Sequence, residues 1–130
     1  MSRREEQPLS IQLHTRSREL ELEYAGGERY CLSCEYLRVF SPSAEVQGHG
    51  PGQEILQCGK LNVNITGIRP VGNYALQLEF DDGHDTGIYS WPYLYQLCVE
   101  QESRWRDYLG RLQEAGASRD PDVQVVKLDL

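Results

Sequence analysis

Cys31-Leu32-Ser33-Cys34 has the Cys-x-x-Cys spacing that brings two thiolates within chelating distance when the chain turns tightly between them. Tetrahedral zinc needs four donors, and Cys58 and His84 are the residues that would complete a three-cysteine, one-histidine set. Two features oppose this reading. The sequence has no second close cysteine pair, and in an extended segment positions three apart face opposite sides of a sheet. The competing reading makes Cys31 and Cys34 small, partly buried apolar residues, the usual setting of free cysteine. A thioredoxin-like dithiol is disfavoured because the pair does not open a helix in a βαβ context. Cys98 falls on a helical apolar stripe and reads as core.

The remaining reactive groups are scattered. His49 lies in Gly48-His49-Gly50-Pro51-Gly52, a setting suited to touching a ligand or partner, and His84 follows an Asp-Gly turn between Asp82 and Asp85. A pocket between segments 41–59 and 81–91 using both imidazoles is one reading; a polar loop and a hairpin cap are the plainer ones. No GxSxG elbow, Walker loop or HExxH motif is present, and GHGPG lacks the strand and helix of a dinucleotide fingerprint. Tyr89, Trp91, Tyr93 and Tyr95 cluster where a helix begins; Tyr and Trp favour both cores and interfaces, so Tyr89 and Trp91 join His49 as candidate interaction residues.

The elements that must position these groups follow from periodicity. Ile11 and Leu13, then Leu20, Leu22 and Tyr24, alternate with polar residues, and Ala25-Gly26-Gly27-Glu28 is a turn, so the first third reads as a three-stranded meander closing on residues 29–33. Ser33 is placed to cap a short helix carrying Glu35 to Val39. Residues 41–59 are rich in Gly, Pro and Ser and read as a loop. Strands resume at 61–68, 74–80 and 87–91. One long helix is expected from Ser90, its N-cap, to a terminator at Gly116, with Pro92 in its first turn and a stripe through Leu94, Leu97, Cys98, Trp105, Tyr108, Leu109 and Leu112. The expected fold class is α+β: a small antiparallel sheet, meander plus hairpin, packed on one long C-terminal helix. Residues 1–8 are expected to be disordered, 9–116 to form a single domain, and 117–130 to form a tail whose Val123, Val125 and Leu128 either add a strand or hang free.

Composition narrows the functional classes. The chain has 130 residues, 39% of them hydrophobic and 25% charged, enough for one domain. A formal net charge of −7 argues against general nucleic-acid binding, which depends on neutralising phosphates. No run approaches the apolar length of a membrane helix, and MSRREEQP has no apolar stretch of the export type, so a cytoplasmic location without structural disulfides is expected.

Several blocks in order, Glu35-Tyr36-Leu37-Arg38, Ser41-Pro42-Ser43-Ala44-Glu45-Val46 with Gly48-His49-Gly50, Pro70-Val71-Gly72-Asn73-Tyr74-Ala75, and Asp82-Gly83-His84-Asp85 through Tyr89-Ser90-Trp91, resemble the small bacterial DUF971 family. That family is similar to the N-terminal domain of γ-butyrobetaine hydroxylase, and the likeness spans about residues 9–98. It implies a small α+β domain. It also implies a structural zinc, held in the hydroxylase relatives by a cysteine segment after the Tyr-Leu-Arg element and by a histidine in the Asp-Gly-His turn. Carried over by position, the cysteines fall on Ser41, Ser43 and Val46 and the histidine on His84, so only His84 is a ligand and the carried-over site is expected to be empty. The hydroxylases handle iron and 2-oxoglutarate in a separate larger domain, and relatives fused to P-loop ATPases of the iron–sulfur carrier type point to accessory roles. The expectation is a non-catalytic domain without a cofactor that binds a protein partner or itself, and neither nucleic acid nor membrane. The alternative is a zinc- or iron–sulfur-handling protein using Cys31, Cys34, Cys58 and His84.

Overall fold

Alternation of leucine with glutamate makes Glu19–Glu23 the central strand of the first sheet: Leu20 and Leu22 are fully buried while the glutamates between them stay half-exposed. The computed structural model describes residues 7–123, 126 and 128. Strands β1 (Ser10–His14), β2 (Glu19–Glu23) and β3 (Arg29–Ser33) form an antiparallel meander in that order. The register places Leu20 between Leu13 and Leu32, and Leu22 between Ile11 and Tyr30, so one face is apolar throughout. The expected disorder of residues 1–6 lies outside the described residues. Pro8 is buried, and the Leu9 amide extends the ladder to the Glu23 carbonyl at 2.7 Å.

Helix α1 (Cys34–Val39) follows β3 directly, and Ser33 caps it, its side chain accepting from the Tyr36 amide at 3.0 Å. The 41–59 stretch is a loop with one turn of helix, α2 (Ala44–Gln47), capped by Ser43. Strands β4 (Ile65–Val71), β5 (Ala75–Phe80) and β6 (Gly87–Ser90) form a second antiparallel sheet in that order. This sheet is a three-stranded unit of its own, where a hairpin added to the meander was expected. The expected long helix spans the expected residues but is broken at Glu100 (φ −102°, ψ 15°) into α3 (Trp91–Val99) and α4 (Gln101–Ala115). Ser90 caps α3, and Gly116 ends α4 in the left-handed conformation (φ 65°) that favours glycine.

One core is shared by both sheets, α1 and α3, with Leu20, Leu32, Leu37, Leu78, Leu94 and Leu97 all fully buried. A smaller cluster of Val39, Tyr108 and Leu112 lies under α4. The tail does not hang free over its described part: the Gly59 and Leu61 amides donate to the carbonyls of Ser118 and Arg119, both at 2.9 Å. Val125 lies outside the described residues.

Candidate functional site

The 41–47 segment and the turn between β5 and β6 meet around His84. The turn is built by the Gly83 amide donating to Phe80 O and the Phe80 amide to His84 O, and the His84 amide is held by Asp82 Oδ1 at 3.1 Å. The imidazole is thereby pushed inward and is 5% exposed. Its Nε2 lies 2.8 Å from Ser41 Oγ and its Nδ1 3.3 Å from Glu45 Oε2. Thr86 Oγ1 lies 3.0 Å from Glu45 Oε1 and 2.7 Å from Ser43 Oγ.

One proton assignment satisfies every member of this network. Thr86 and His84 Nδ1 donate to the two oxygens of Glu45, Ser41 donates to His84 Nε2, and Ser43 donates to Thr86. The freed lone pairs of Ser41 and Ser43 then accept the amides of Ser43 and Glu45, both at 3.2 Å, and Gln47 Nε2 braces the Ser41 carbonyl at 2.8 Å. This arrangement needs a neutral imidazole. Burial, then the nearby Arg38 guanidinium, depress the His84 pKa, outweighing the opposite pull of Glu45 and Asp82.

Asp82 is the charged neighbour of this network. Its Oδ2 accepts from Arg38 Nε at 2.8 Å and Lys60 Nζ at 2.6 Å. Burial would raise its pKa, but Lys60, the His84 amide and Arg38 together hold it at about 2. Arg38 Nη1 is buried without a hydrogen-bond partner.

Hydroxyl, imidazole and carboxylate in series is the order of an activated nucleophile. Here, however, Ser41 is fully buried, so an outside carbonyl has no approach to its Oγ. Gly87 closes the remaining space: a Cβ there would sit 2.5 Å from Ser41 Oγ. The zinc set implied by resemblance does not fit either. The structure bonds Ser41 to His84 and Ser43 to Ser41, and Val46 is buried, so at the carried-over positions two hydroxyls and an isopropyl group stand where thiolates would be needed.

The Cys-x-x-Cys pair is divided by the fold. Cys31 is exposed on β3, whereas Cys34 is buried at the start of α1 with its Sγ 3.6 Å from Asn64 Oδ1. Burial raises the pKa of both thiols, and Cys58 is exposed in the loop before β4. Among the described residues no three His, Cys, Asp or Glu side chains converge as a metal site requires.

The interaction residues expected from sequence separate as well. His49 is exposed on its glycine-rich bend. Tyr89 is fully buried, its hydroxyl donating to Leu37 O at 2.5 Å, and Trp91 is 7% exposed, its indole donating to Asn73 O at 2.7 Å. Both rings are therefore core rather than contact surface: alternation along β6 turns Tyr89 inward and leaves Ile88 outside. Sequence reasoning missed Glu45, Thr86 and the Arg38–Asp82–Lys60 cluster, whose partners are brought together only by the tertiary fold.

A family model described as γ-butyrobetaine hydroxylase-like, N-terminal, matches residues 11–95. Among solved structures, two proteins studied by NMR in solution are similar over nearly their whole length. One is 56% identical with a TM-score of 0.79, covering 95% of this chain and 97% of that one. The other is 49% identical with a TM-score of 0.76, covering 100% and 99%. A crystal structure of a protein of unknown function from Acidithiobacillus ferrooxidans, assigned to the DUF971 family, is 40% identical with a TM-score of 0.63, covering 77% of this chain and 100% of that one. No curated protein matches the chain. With the matched segment running from β1 into α3 and two sheets folded as in these relatives, the chain belongs to the γ-butyrobetaine hydroxylase-like N-terminal family, the DUF971 family of its crystallised relative.

Proposed function

We propose that this protein is a non-catalytic accessory domain that acts by binding a protein partner or a second copy of itself. The observation that carries this reading is the closed His84 network. The groups best able to do chemistry, Ser41, His84 and Glu45, bond to one another and fasten the 41–47 segment to the second sheet. Recognition then falls to the surface, where a net charge of −7 favours basic partners by long-range steering. A reducing, cytoplasmic setting accords with four free cysteines. No helix among the described residues is long and apolar enough to cross a membrane.

Analytical ultracentrifugation combined with affinity capture from lysate tests the proposal. A concentration-dependent oligomer, or a partner retained through salt washes and identified in replicate captures, is the expected outcome. A monomer at all concentrations with no retained partner overturns it.

A further inference from the structure

A second charged site lies between α1 and α4. Glu35, in the first turn of α1, is 5% exposed, and a buried carboxylate needs a bound cation to offset its lost hydration. Arg119 supplies it in a two-pronged pair, Nε to Oε2 at 2.8 Å and Nη2 to Oε1 at 2.7 Å. The same guanidinium lies over the Trp105 ring, 5.1 Å from its centroid. A carboxylate engaging both prongs beside an indole face is the chemistry that selects arginine over lysine.

The pair forms one wall of a cavity of about 580 Å³, open to solvent, whose other walls include Tyr36, Gln101 and Glu102. Its charged lining is two carboxylates against one guanidinium, and Arg119 reaches it on a segment held by backbone hydrogen bonds to Gly59 and Leu61 and, at Ala117, to Leu112. Arg119 is therefore a guanidinium ligand that the chain itself supplies to the cavity.

We propose that this cavity is a recognition site for the arginine side chain of a basic partner segment, with Arg119 as its occupant in cis. The proposal rests on the protein-interaction reading above and names the partner's chemistry. Exchange of one guanidinium for another keeps Glu35 paired throughout, whereas simple opening would strand it. A tethered occupant competes at high effective concentration, so an incoming segment must add contacts, which Gln101 and Glu102 offer along the cavity.

The test is titration of a short arginine-bearing peptide, with lysine and citrulline counterparts, into the full chain, Arg119→Ala and Glu35→Gln/Arg119→Ala, followed by calorimetry. Arg119→Ala is expected to bind the arginine peptide at least tenfold more tightly than the unsubstituted chain does, to bind the lysine peptide more weakly, and to ignore citrulline. Ethylguanidinium at millimolar concentration should raise the thermal midpoint of Arg119→Ala and leave that of the double variant unchanged. Should Arg119→Ala fail to fold, Glu102→Gln in the otherwise intact chain is expected to weaken the arginine peptide several-fold. Equal binding of all three peptides, or of the arginine peptide by single and double variants alike, overturns the site. So does a partner that the folded double variant retains as well as the unsubstituted chain does, and that result leaves the interaction reading standing. Arginine-selective binding with no partner captured by any form overturns the interaction reading and not the recognition chemistry.

Discussion

At the scale of residues, Gly87 and Ser41 decide whether the His84 network closes. A methyl group at Gly87 would press on Ser41 Oγ at 2.5 Å and on the Tyr89 ring at 3.1 Å, both in fully buried surroundings. Gly87→Ala is expected to destabilise the fold by about 1–3 kcal/mol, read as a lower urea midpoint at unchanged slope. Protonation should act on the same network. The folded state holds His84 with a depressed pKa, so the unfolded state binds the proton more readily and stability rises with pH across that window. The thermal midpoint should therefore fall as the pH drops below about 6.5, the ordinary histidine value. His84→Gln should remove that decline. A second loss belongs to Asp82, whose carboxylate stabilises the fold above its ordinary pKa and ceases to do so as the pH falls toward about 2. His84 stood out in the sequence for its turn and neighbours, but the identity of its partners did not, because Ser41 is 43 positions away and only the packing of the two segments joins them.

At the scale of elements, local rules were legible wherever local physics decides. Alternation marked β2, and side-chain caps at Ser33 and Ser90 marked the starts of α1 and α3. Helix α2 escaped because one turn has no periodicity to read; its signal was Ser43 alone. The break at Glu100 escaped for another reason. No glycine or proline marks it and the apolar stripe runs across it, yet α3 packs on the shared core while α4 packs on the separate cluster of Val39, Tyr108 and Leu112. Hydrogen bonds from Ser41, Ser43 and Gln47 hold the 41–47 element. Ser41→Cys/Ser43→Cys/Val46→Cys would put thiols at the positions to which the resemblance carries the zinc cysteines, and this variant is expected to retain one zinc per chain with a chelator-sensitive melting midpoint. The unsubstituted chain's midpoint should be indifferent to chelator. Metal analysis and thermal melts check both.

At the scale of the whole molecule, residues 117–119 are bonded into the fold. The Glu35–Arg119 pair joins residues 84 positions apart, and Tyr108 donates to Gln57 O at 2.8 Å under the same segment of chain. Arg119→Ala leaves a buried carboxylate without its cation and is expected to cost about 2–4 kcal/mol, with Glu35→Gln/Arg119→Ala recovering part of the loss in urea denaturation. The net charge of −7 argues only against general nucleic-acid binding, whereas the cysteines bear on the fold through buried Cys34 and Cys98. The long reach of the Glu35–Arg119 pair also sets a timetable for synthesis. At ordinary elongation rates Glu35 is made on the order of ten seconds before the arginine that neutralises it. Through that interval α1 must keep the Glu35 carboxylate hydrated, and its final seating waits until Arg119 has been added.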